Sequence, residues 1–298
     1  MKFGQYLLHM LNNKNKTQTR VVCELQLKFD IFSSLDEITF SRWVNNKTTP
    51  SLEKQLLIAY HLEKKMSFFI SNIDNKKCKK SLITKFDETF ERIENSYHQI
   101  NYRKSLKEDK TLSLMNMNKE THRISLGCFY NQFKIYKDIF SYIDNNKIDI
   151  TTTVLAIKNN GEVISHISFN RNIEKIIPYV QKKHTSDMEK SISINIGYYS
   201  NKESYNILTG HLFCHLIDNF ISINKIYVIS NGKYFNDFLE ELGGEICIQD
   251  KDKENIGDTY IFKFNFIQLL SNPFIFNQIK NSYNSFIELK KNLIIDIK

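Results

Sequence analysis

The sequence has little of several features that mark particular classes of protein. No apolar run among its 298 residues approaches the length of a membrane-spanning helix. The first residues place one lysine before a short leucine-rich stretch that His9 and other polar residues interrupt, unlike a secretory signal peptide. The five cysteines are scattered and never form a CxxC pair, which is typical of reduced thiols in a cytosolic protein. These absences predict a cytoplasmic protein that does not associate with membranes.

Proline is scarce too, with three residues, whereas lysine, asparagine and isoleucine are abundant, as an AT-rich genome produces. Lysine and arginine number 41 against 33 acidic residues, which gives a net charge of +8. A positive excess favours polyanionic partners in general without choosing among them. Because part of the lysine content follows from base composition, the charge is weak supporting evidence by itself.

The most informative segment, residues 38 to 52, predicts a short helix that ends in a polar turn, followed by a second helix after Pro50. Phe40 and Trp43 are three residues apart, so they share one helical face that can be buried. The positions on the other faces are free to contact a partner: Glu37, Ile38, Thr39 and Arg42. The donors of the polar turn suit phosphate oxygens, and the whole arrangement is what a major-groove reader needs.

Short helices are predicted on both sides of this segment. Apolar residues from Phe3 to Leu11 recur at helical spacing, and Thr17 and Ser51 are suited to cap two further helices. Four or five short helices in about 65 residues is the size of a compact DNA-binding domain.

Five stretches of this region together resemble the lambda-repressor-like (Xre) helix-turn-helix family. They are Phe3-Gly4 with Leu7-Leu8, Thr17-Gln18, Phe40-Ser41-Arg42-Trp43, Pro50-Ser51-Leu52 and Ile58-Ala59. The resemblance covers roughly residues 3 to 65 and implies binding to double-stranded DNA. Two departures stand out. The gap between Gln18 and Phe40 is longer than in the family, which implies a longer second helix or an enlarged turn. Asn46 stands where the family usually has glycine, but asparagine tolerates a left-handed helix end.

The resemblance implies two sets of DNA contacts. Phosphates would be contacted by Thr17, Gln18, Asn45, Lys47 and Thr48. Bases would be contacted by Glu37, Ile38, Thr39 and Arg42. Arg42 could pair with guanine and Ile38 could pack on a thymine methyl group. The alternative is that all of these are merely solvated helix residues. Since one such domain reads too few base pairs for specificity, a homodimer on a pseudo-palindromic site is expected.

Residues 73–110 predict a basic helical connector. Its apolar residues are spaced by three or four and form one stripe: Phe86, Phe90, Ile93 and Tyr97. The lysines of residues 76–80 either contact the DNA backbone or form an ordinary solvated helix start. The stripe can pack on either neighbouring domain or on a second copy of itself.

The character changes to a mixed α/β pattern after about residue 110. Two strand-like segments flank the hairpin signal Asn159-Asn160-Gly161, and residues 192–199 alternate as a third strand. A helix, a buried strand over 225–230, a helix closed by Gly243-Gly244 and two last strands follow. This order resembles the GNAT acyltransferase fold over roughly residues 111–268.

The predicted fold class is therefore α plus α/β, in three parts. Residues 1–72 form an all-α helix-turn-helix domain, 73–110 the connector, and 111–298 a GNAT-like mixed α/β domain with a C-terminal helix.

The residues that carry chemistry in the GNAT family are not matched. Its glycine-rich pyrophosphate turn corresponds to residues 201–210, which hold one glycine and include Glu203. Its general-acid tyrosine corresponds to Leu239, which cannot donate a proton. The resemblance thus implies a domain that has lost acetyl transfer, with no catalytic residue and no cofactor assigned. Four tyrosines remain as candidate substitutes: Tyr198, Tyr199, Tyr205 and Tyr234.

The cleft between the central strands of such a domain can hold a small-molecule effector. Its expected neighbours are Tyr198, Tyr199, His211 and His215. His211 and His215 have a metal-capable spacing, but no glutamate follows His211 in a zincin pattern, and we predict no metal.

The leading hypothesis from sequence is a bacterial DNA-binding transcriptional regulator with a non-catalytic acyltransferase-like effector or dimerisation domain. One alternative is an active N-acetyltransferase that a DNA-binding domain targets. The other is an antitoxin-like protein-interaction module.

Overall fold

The computed structural model describes residues 1–98, 110–171, 190–218, 223–251 and 258–295. The chain begins as a group of short helices, and a mixed sheet covered by helices on both faces follows. The predicted mixed α/β fold of the C-terminal part is confirmed. None of the helices within these ranges is long and apolar enough to cross a membrane.

The N-terminal region is all-helical, as predicted. Its elements are α1 (Phe3–Lys14), α2 (Gln18–Lys28), a 3-10 helix (Asp30–Phe32), α3 (Glu37–Val44), α4 (Leu52–Glu63) and α5 (Ser67–Asn72). The side chains of Thr17, Asp36 and Ser51 each accept a hydrogen bond from a backbone N–H in the first turn of the helix that follows. These three caps fix where α2, α3 and α4 begin.

The long gap between Gln18 and Phe40 is an enlarged turn rather than a longer helix. The helix α2 ends at Lys28, and the 3-10 helix buries Phe32 before α3 begins. Past α3, Asn46 has a φ of 54°, so the prediction that asparagine would support a left-handed conformation here is confirmed. Its side-chain oxygen accepts a hydrogen bond of 2.9 Å from the Gly4 N–H, which joins α1 to this turn.

The connector contains the helix α6 (Lys80–His98), and residues 99–109 of the predicted connector lie outside the described residues. Phe86 and Phe90 of its apolar stripe pack on the C-terminal part of the chain. The ring of Phe86 lies 5.2 Å from Tyr205, 5.3 Å from Phe238 and 4.8 Å from Phe274. The sequence left open what this stripe packs on. For Phe86 and Phe90 the structure shows that it is the following domain.

Seven strands form one sheet within the described residues, in the order β1-β2-β3-β4-β5-β7-β6. They are β1 (Lys110–Asn118), β2 (Thr151–Asn159), β3 (Glu162–Arg171), β4 (Ser191–Ile194), β5 (Lys225–Asn231), β6 (Glu245–Asp250) and β7 (Thr259–Asn265). The pair β4 and β5 is parallel, and the other neighbours are antiparallel. The site depends on this one parallel pair.

The hairpin predicted at residues 159–161 is confirmed. Asn160 has a φ of 51° and Gly161 a φ of 85°, which is the pattern of a two-residue type I′ turn between β2 and β3.

Helices cover both faces of the sheet. One face carries α7 (Lys119–Tyr130) and α8 (Lys134–Asn145). The other carries α9 (Lys202–Ile217), α10 (Lys233–Glu241), α11 (Phe266–Leu270) and α12 (Pro273–Ile295). Alternate residues of β2 serve the two layers, since Val154 and Ala156 belong to the first core and Leu155 and Ile157 to the second.

The N-terminal helices share the second core. The rings of Phe69 in α5 and Phe276 in α12 lie 5.9 Å apart. Nearby, the Lys76 N–H donates to the Asn277 side-chain oxygen, and the Asn277 amide donates back to the Lys76 carbonyl, both at 2.8 Å.

Candidate functional site

A cleft opens where the parallel strands β4 and β5 separate. They pair only over four positions, from Ser191 opposite Lys225 to Ile194 opposite Val228. The sequence predicted a third strand as far as Tyr199, whereas β4 ends at Ile194 and β5 continues to Asn231 beside β7. The reason is that the chain after Ile194 follows β3 and leaves β5.

Hydrogen bonds to β3 and to the helical layer hold this departing segment. The Asn195 N–H donates to the Ser168 carbonyl at 2.9 Å, and Tyr198 exchanges two backbone bonds with His166 at 2.8 and 2.9 Å. The Ile196 N–H donates to the buried Tyr136 hydroxyl at 2.9 Å. These hydrogen bonds hold the departing segment in place from the side away from the cleft.

The cleft encloses a cavity of about 250 Å³. Its walls come from the departing segment, β5, α9 and α10, and its inner end from α11 and α12. Within the described part of the chain, no side chain that lines it carries a charge. A cavity of roughly 150 Å³ is enough for benzene, so this one has room for a larger apolar group.

Gly197 and Tyr199 form the mouth of the cleft on the β4 side. In an antiparallel ladder, the residues on either side of a doubly hydrogen-bonded pair direct their N–H groups to the opposite edge. Because Tyr198 is such a partner of His166, we expect the N–H groups of Gly197 and Tyr199 to point away from β3, towards the cleft. A side-chain carbon on Gly197 would lie 2.4 Å from the Tyr199 hydroxyl oxygen, so the phenol needs glycine there.

The Tyr199 hydroxyl is protonated at neutral pH. Burial, with smaller contributions from Tyr205 and Tyr130, raises the pKa of Tyr199 well above its ordinary value. Its ring lies 4.9 Å from that of Tyr205 and 6.4 Å from that of Phe90 in α6. A neutral phenol beside two peptide N–H groups can donate to a developing anion.

The resemblance to the GNAT family implies that a pyrophosphate would lie at the N-terminus of α9. In this protein, residues at that end of the helix already contact other residues of the chain. The Asn201 side chain caps the helix by accepting from the Ser204 N–H at 2.8 Å. Asp87 of α6 pairs with Lys202 at 2.5 Å, and the Lys202 ammonium lies 5.3 Å from the ring of Phe86. The Asp87 carboxylate thus neutralises a lysine in the first turn of α9.

The candidate cleft residues divide into two pairs. Tyr198 and Tyr199 line the cavity. His211 and His215, which the sequence put in the same neighbourhood, do not line it, and this corrects the prediction. His211 faces α12, and His215 lies between α12 and β3, where its ring is 5.5 Å from that of Phe169. Ser285 of α12 lies 3.1 Å from a ring nitrogen of His211, and Phe286 of α12 packs against both histidines. The cleft-facing positions of α9 are those that helical spacing turns towards the sheet: Tyr205, Thr209, Leu212 and Phe213.

Two further positions to which the sequence analysis gave a possible chemical role are Leu239 and Tyr234. Leu239, the counterpart of the family's tyrosine, lines the cavity. The ring of Tyr234 lies under Arg92, 3.9 Å from its guanidinium carbon, and Tyr234 does not line the cavity. The sequence did not single out Gly197 or Asp87, because nothing local marks either position.

The candidate base-contacting residues lie on the outer side of α3. Glu37, Ile38 and Arg42 are exposed and Thr39 is half-buried, with 74% of Ile38 accessible. Phe40 and Trp43 point into the protein and are buried. The helix therefore has one hidden face and one free face.

The candidate phosphate-contacting residues are less uniform. Thr17, Asn45, Lys47 and Thr48 are exposed and Gln18 is half-buried. The Thr17 hydroxyl oxygen is the cap of α2, and the Asn45 side-chain amide donates to the Ser41 carbonyl at 2.8 Å. These two groups already have partners in the protein. Among the described residues no cluster of histidine, cysteine or carboxylate side chains could hold a metal ion.

Comparison with solved structures finds similarity to acyl-transferring enzymes at low identity. One is aminoglycoside acetyltransferase AAC(6')-Ib in complex with coenzyme A, at 12% identity and a TM-score of 0.32, covering 54% of this chain and 97% of that chain. A second is FeeM, an N-acyl amino acid synthase from uncultured soil microbes, at 10% identity and a TM-score of 0.37, covering 56% and 96%. A third is an acetyltransferase from Thermus thermophilus, at 9% identity and a TM-score of 0.31, covering 52% and 97%.

These similarities extend over about half of this chain, and the matched proteins are not described as helix-turn-helix proteins. No protein-family model matches the sequence, and no curated protein matches it.

Proposed function

We propose that the C-terminal domain is an acyltransferase that binds the acyl group of a thioester in the cleft and transfers it to an amine. The observation that carries this proposal is the mouth of the cleft, where the protonated hydroxyl of Tyr199 lies beside Gly197 at an apolar cavity. The sequence favoured loss of transfer because Leu239 replaces the usual tyrosine. Tyr199 supplies a hydroxyl from another element.

Each group has a defined role in this reaction. The nitrogen of a neutral amine attacks the thioester carbonyl carbon, and the N–H groups of Gly197 and Tyr199 donate to the oxyanion that forms. The carbon–sulfur bond then breaks, and the leaving thiolate takes the proton of the Tyr199 hydroxyl. The former amine loses one proton to water, and Tyr199 regains one from water, so an amide and a free thiol remain.

The position of Asp87 restricts how the thioester is carried. In the family resemblance, the pyrophosphate of acyl-CoA rests on the N-terminus of the helix after β4. Here Asp87 pairs with Lys202 in the first turn of α9, so it neutralises the cation that a phosphate would otherwise meet there. We therefore expect that the nucleotide part of CoA adds nothing to binding.

A comparison of two carriers tests the proposal. Acyl thioesters of pantetheine and of CoA are incubated with the purified chain and a panel of primary amines, and amide formation and thiol release are measured together. We expect turnover with both carriers and a similar KM. Absence of amide product with every thioester and amine would contradict acyl transfer.

A second function, sequence-specific DNA binding by the N-terminal helices as a homodimer, is favoured by the exposed face of α3. Three of its four candidate base-contacting residues are exposed while Phe40 and Trp43 are buried. Mapping of DNA fragments that the protein binds across its genome tests this function. Enrichment of one pseudo-palindromic sequence is expected, and equal recovery of all fragments would contradict it.

A further inference from the structure

The cavity of the candidate site extends well beyond the place where acyl transfer would occur. On β5 it is lined from Val228 to Asn231, which lies at the mouth, and Phe264 of β7 also lines it. Three residues of strand correspond to roughly 10 Å. Along α9 the lining runs from Tyr205 to Phe213, which corresponds to about 12 Å.

The inner end of the cavity is closed by hydrocarbon. Leu269 of α11 and Ile275 of α12 line it there, and both are buried. Two polar side chains that border the cavity already have partners in the protein. Ser230 donates to Asn236 at 2.6 Å, and the Asn195 amide donates to Ser168 and Asn170 at 2.8 Å. Among the described residues, the other polar side chains that line the cavity carry only hydroxyl groups or, in Asn231, an amide, so a charged ligand would lose most of its hydration here.

We infer that this cavity is the binding site for the alkyl chain of a medium-chain acyl group of about ten carbons. The inference rests on the proposed function, because it identifies the acyl group that the cleft would receive. The carbonyl end lies at Gly197 and Tyr199, and the chain runs along α9 towards Leu269.

Two independent estimates give the length. A cavity of roughly 150 Å³ takes the six carbons of benzene, so 250 Å³ corresponds to about ten carbons. An extended chain advances roughly 1.2 Å per bond, since a residue of three bonds spans at most about 3.6 Å. A depth of about 12 Å therefore takes about ten bonds.

The test uses ligands that cannot be transferred. A series of N-acetylcysteamine analogues, with an amide in place of the thioester and acyl groups from hexanoyl to hexadecanoyl, is titrated into the full chain by calorimetry. Each added methylene should tighten binding about fourfold up to about ten carbons, after which affinity stops rising. An affinity that does not depend on chain length would overturn the inference.

Substitutions at the inner end of the cavity show where the alkyl chain of the ligand lies. Leu269→Phe shortens the cavity and should move the best chain length down by about two carbons, whereas Leu269→Ala should move it up. Leu126→Ala, an equal truncation in the core on the other face of the sheet, should leave it unchanged. Circular dichroism selects the variants that remain folded. If the best acyl-chain length stayed the same in a folded Leu269 variant, the alkyl chain would bind elsewhere.

The outcomes for the two proposals are distinguishable. If the amides bind with the expected length dependence but no thioester is turned over, the transferase activity is contradicted and the alkyl-chain site stands. If thioesters are turned over without any dependence on chain length, the reverse holds.

Discussion

Asp87 of the connector helix and Lys202 in the first turn of α9 form an ion pair of 2.5 Å. Both side chains are almost half exposed, so the pair itself adds little stability. Its importance lies in its position. The pair neutralises a lysine in the first turn of α9 that an anionic cofactor would otherwise meet. Asp87 also belongs to a helix whose Phe90 packs on Tyr199.

Removal of that carboxylate should change which carrier is preferred. In Asp87→Ala, Lys202 loses its carboxylate partner, and we expect the affinity for acyl-CoA to rise about tenfold relative to acyl-pantetheine. Asp237→Ala is the matched control, because it removes the carboxylate of another α6 contact, with Lys85 at 3.8 Å. An equal change with both carriers in Asp87→Ala would mean that the nucleotide does not approach α9.

Tyr199→Phe should slow acyl transfer about 100-fold while the Kd of a non-transferable amide analogue stays nearly the same. The phenyl ring keeps its contacts with Tyr205 and Phe90, and only the proton donor is lost. Tyr234→Phe serves as the control, since that hydroxyl accepts from Arg92 away from the cavity. Single-turnover rates separate the two effects. If Tyr199→Phe transferred acyl groups at the original rate, another group would protonate the leaving thiolate.

Gly210→Ala should destabilise the protein. A side-chain carbon there would lie 2.1 Å from the Ser282 hydroxyl oxygen and 2.9 Å from the Gln278 carbonyl, where α9 and α12 pack closely. We expect a loss of roughly 1–3 kcal/mol in the free energy of unfolding, measured by urea denaturation. In α7, Gly127 has no atom closer than 3.8 Å to such a carbon, so Gly127→Ala should gain about 0.5–1 kcal/mol. Equal effects of the two substitutions would argue against the close packing of α9 on α12.

The protein should lose stability as the pH falls from about 6.5 to about 4. Burial lowers the pKa of both His122 and His166 to about 4, so each binds a proton more readily in the unfolded chain. Their contribution is complete above the unfolded pKa of about 6.5 and declines below it, by a few kcal/mol in all. Urea denaturation at pH 7, 5.5 and 4.5 measures this.

A variant isolates the histidines from other acid effects. In the double variant His122→Phe, His166→Phe, the free energy of unfolding should change less over this range, and burial of His211 and His215, which lowers the pKa of both, accounts for what remains. Glu24, whose pKa a hydrogen bond from Lys16 lowers to about 2, loses its contribution only below about pH 4.5. A slope as steep in the double variant as in the original protein would assign the effect to other groups.

Arg42→Ala and Lys47→Ala should weaken DNA binding in different ways. Loss of Arg42 is expected to cost roughly 1–3 kcal/mol at a specific site and to relax the preference at one base pair. Loss of Lys47 should weaken binding to all sequences and reduce its dependence on salt. Titrations of specific and nonspecific duplexes at several salt concentrations measure both. If Arg42→Ala weakened both duplexes equally, Arg42 would be a phosphate contact.

Features that a few neighbouring residues determine could be predicted from the sequence. The turn at Asn160-Gly161 needs two left-handed residues, and asparagine and glycine provide them. Burial of Phe40 and Trp43 follows from their spacing on one short helix. The sequence also held a signal for α8, in Ile135, Ile139 and Ile143, that the prediction overlooked.

The cleft could not be predicted in the same way, because it arises from contacts between distant parts of the chain. The segment after β4 is held by Tyr136, whose hydroxyl accepts a hydrogen bond from the Ile196 N–H. The two residues are sixty positions apart in the sequence. The contact between Asp87 and Lys202 spans 115 positions. The misplacement of His211 and His215 has the same origin, since only the packing of α12 shows which side of α9 meets the sheet.

The contact of Phe69 with Phe276, together with the paired hydrogen bonds of Lys76 and Asn277, holds the N-terminal helices in one position on the C-terminal domain. These helices are therefore not joined to the C-terminal domain by a flexible linker alone. In any pair of such molecules, the distance between the two α3 helices would consequently be a property of the rigid bodies, and lengthening a loop could not adjust it.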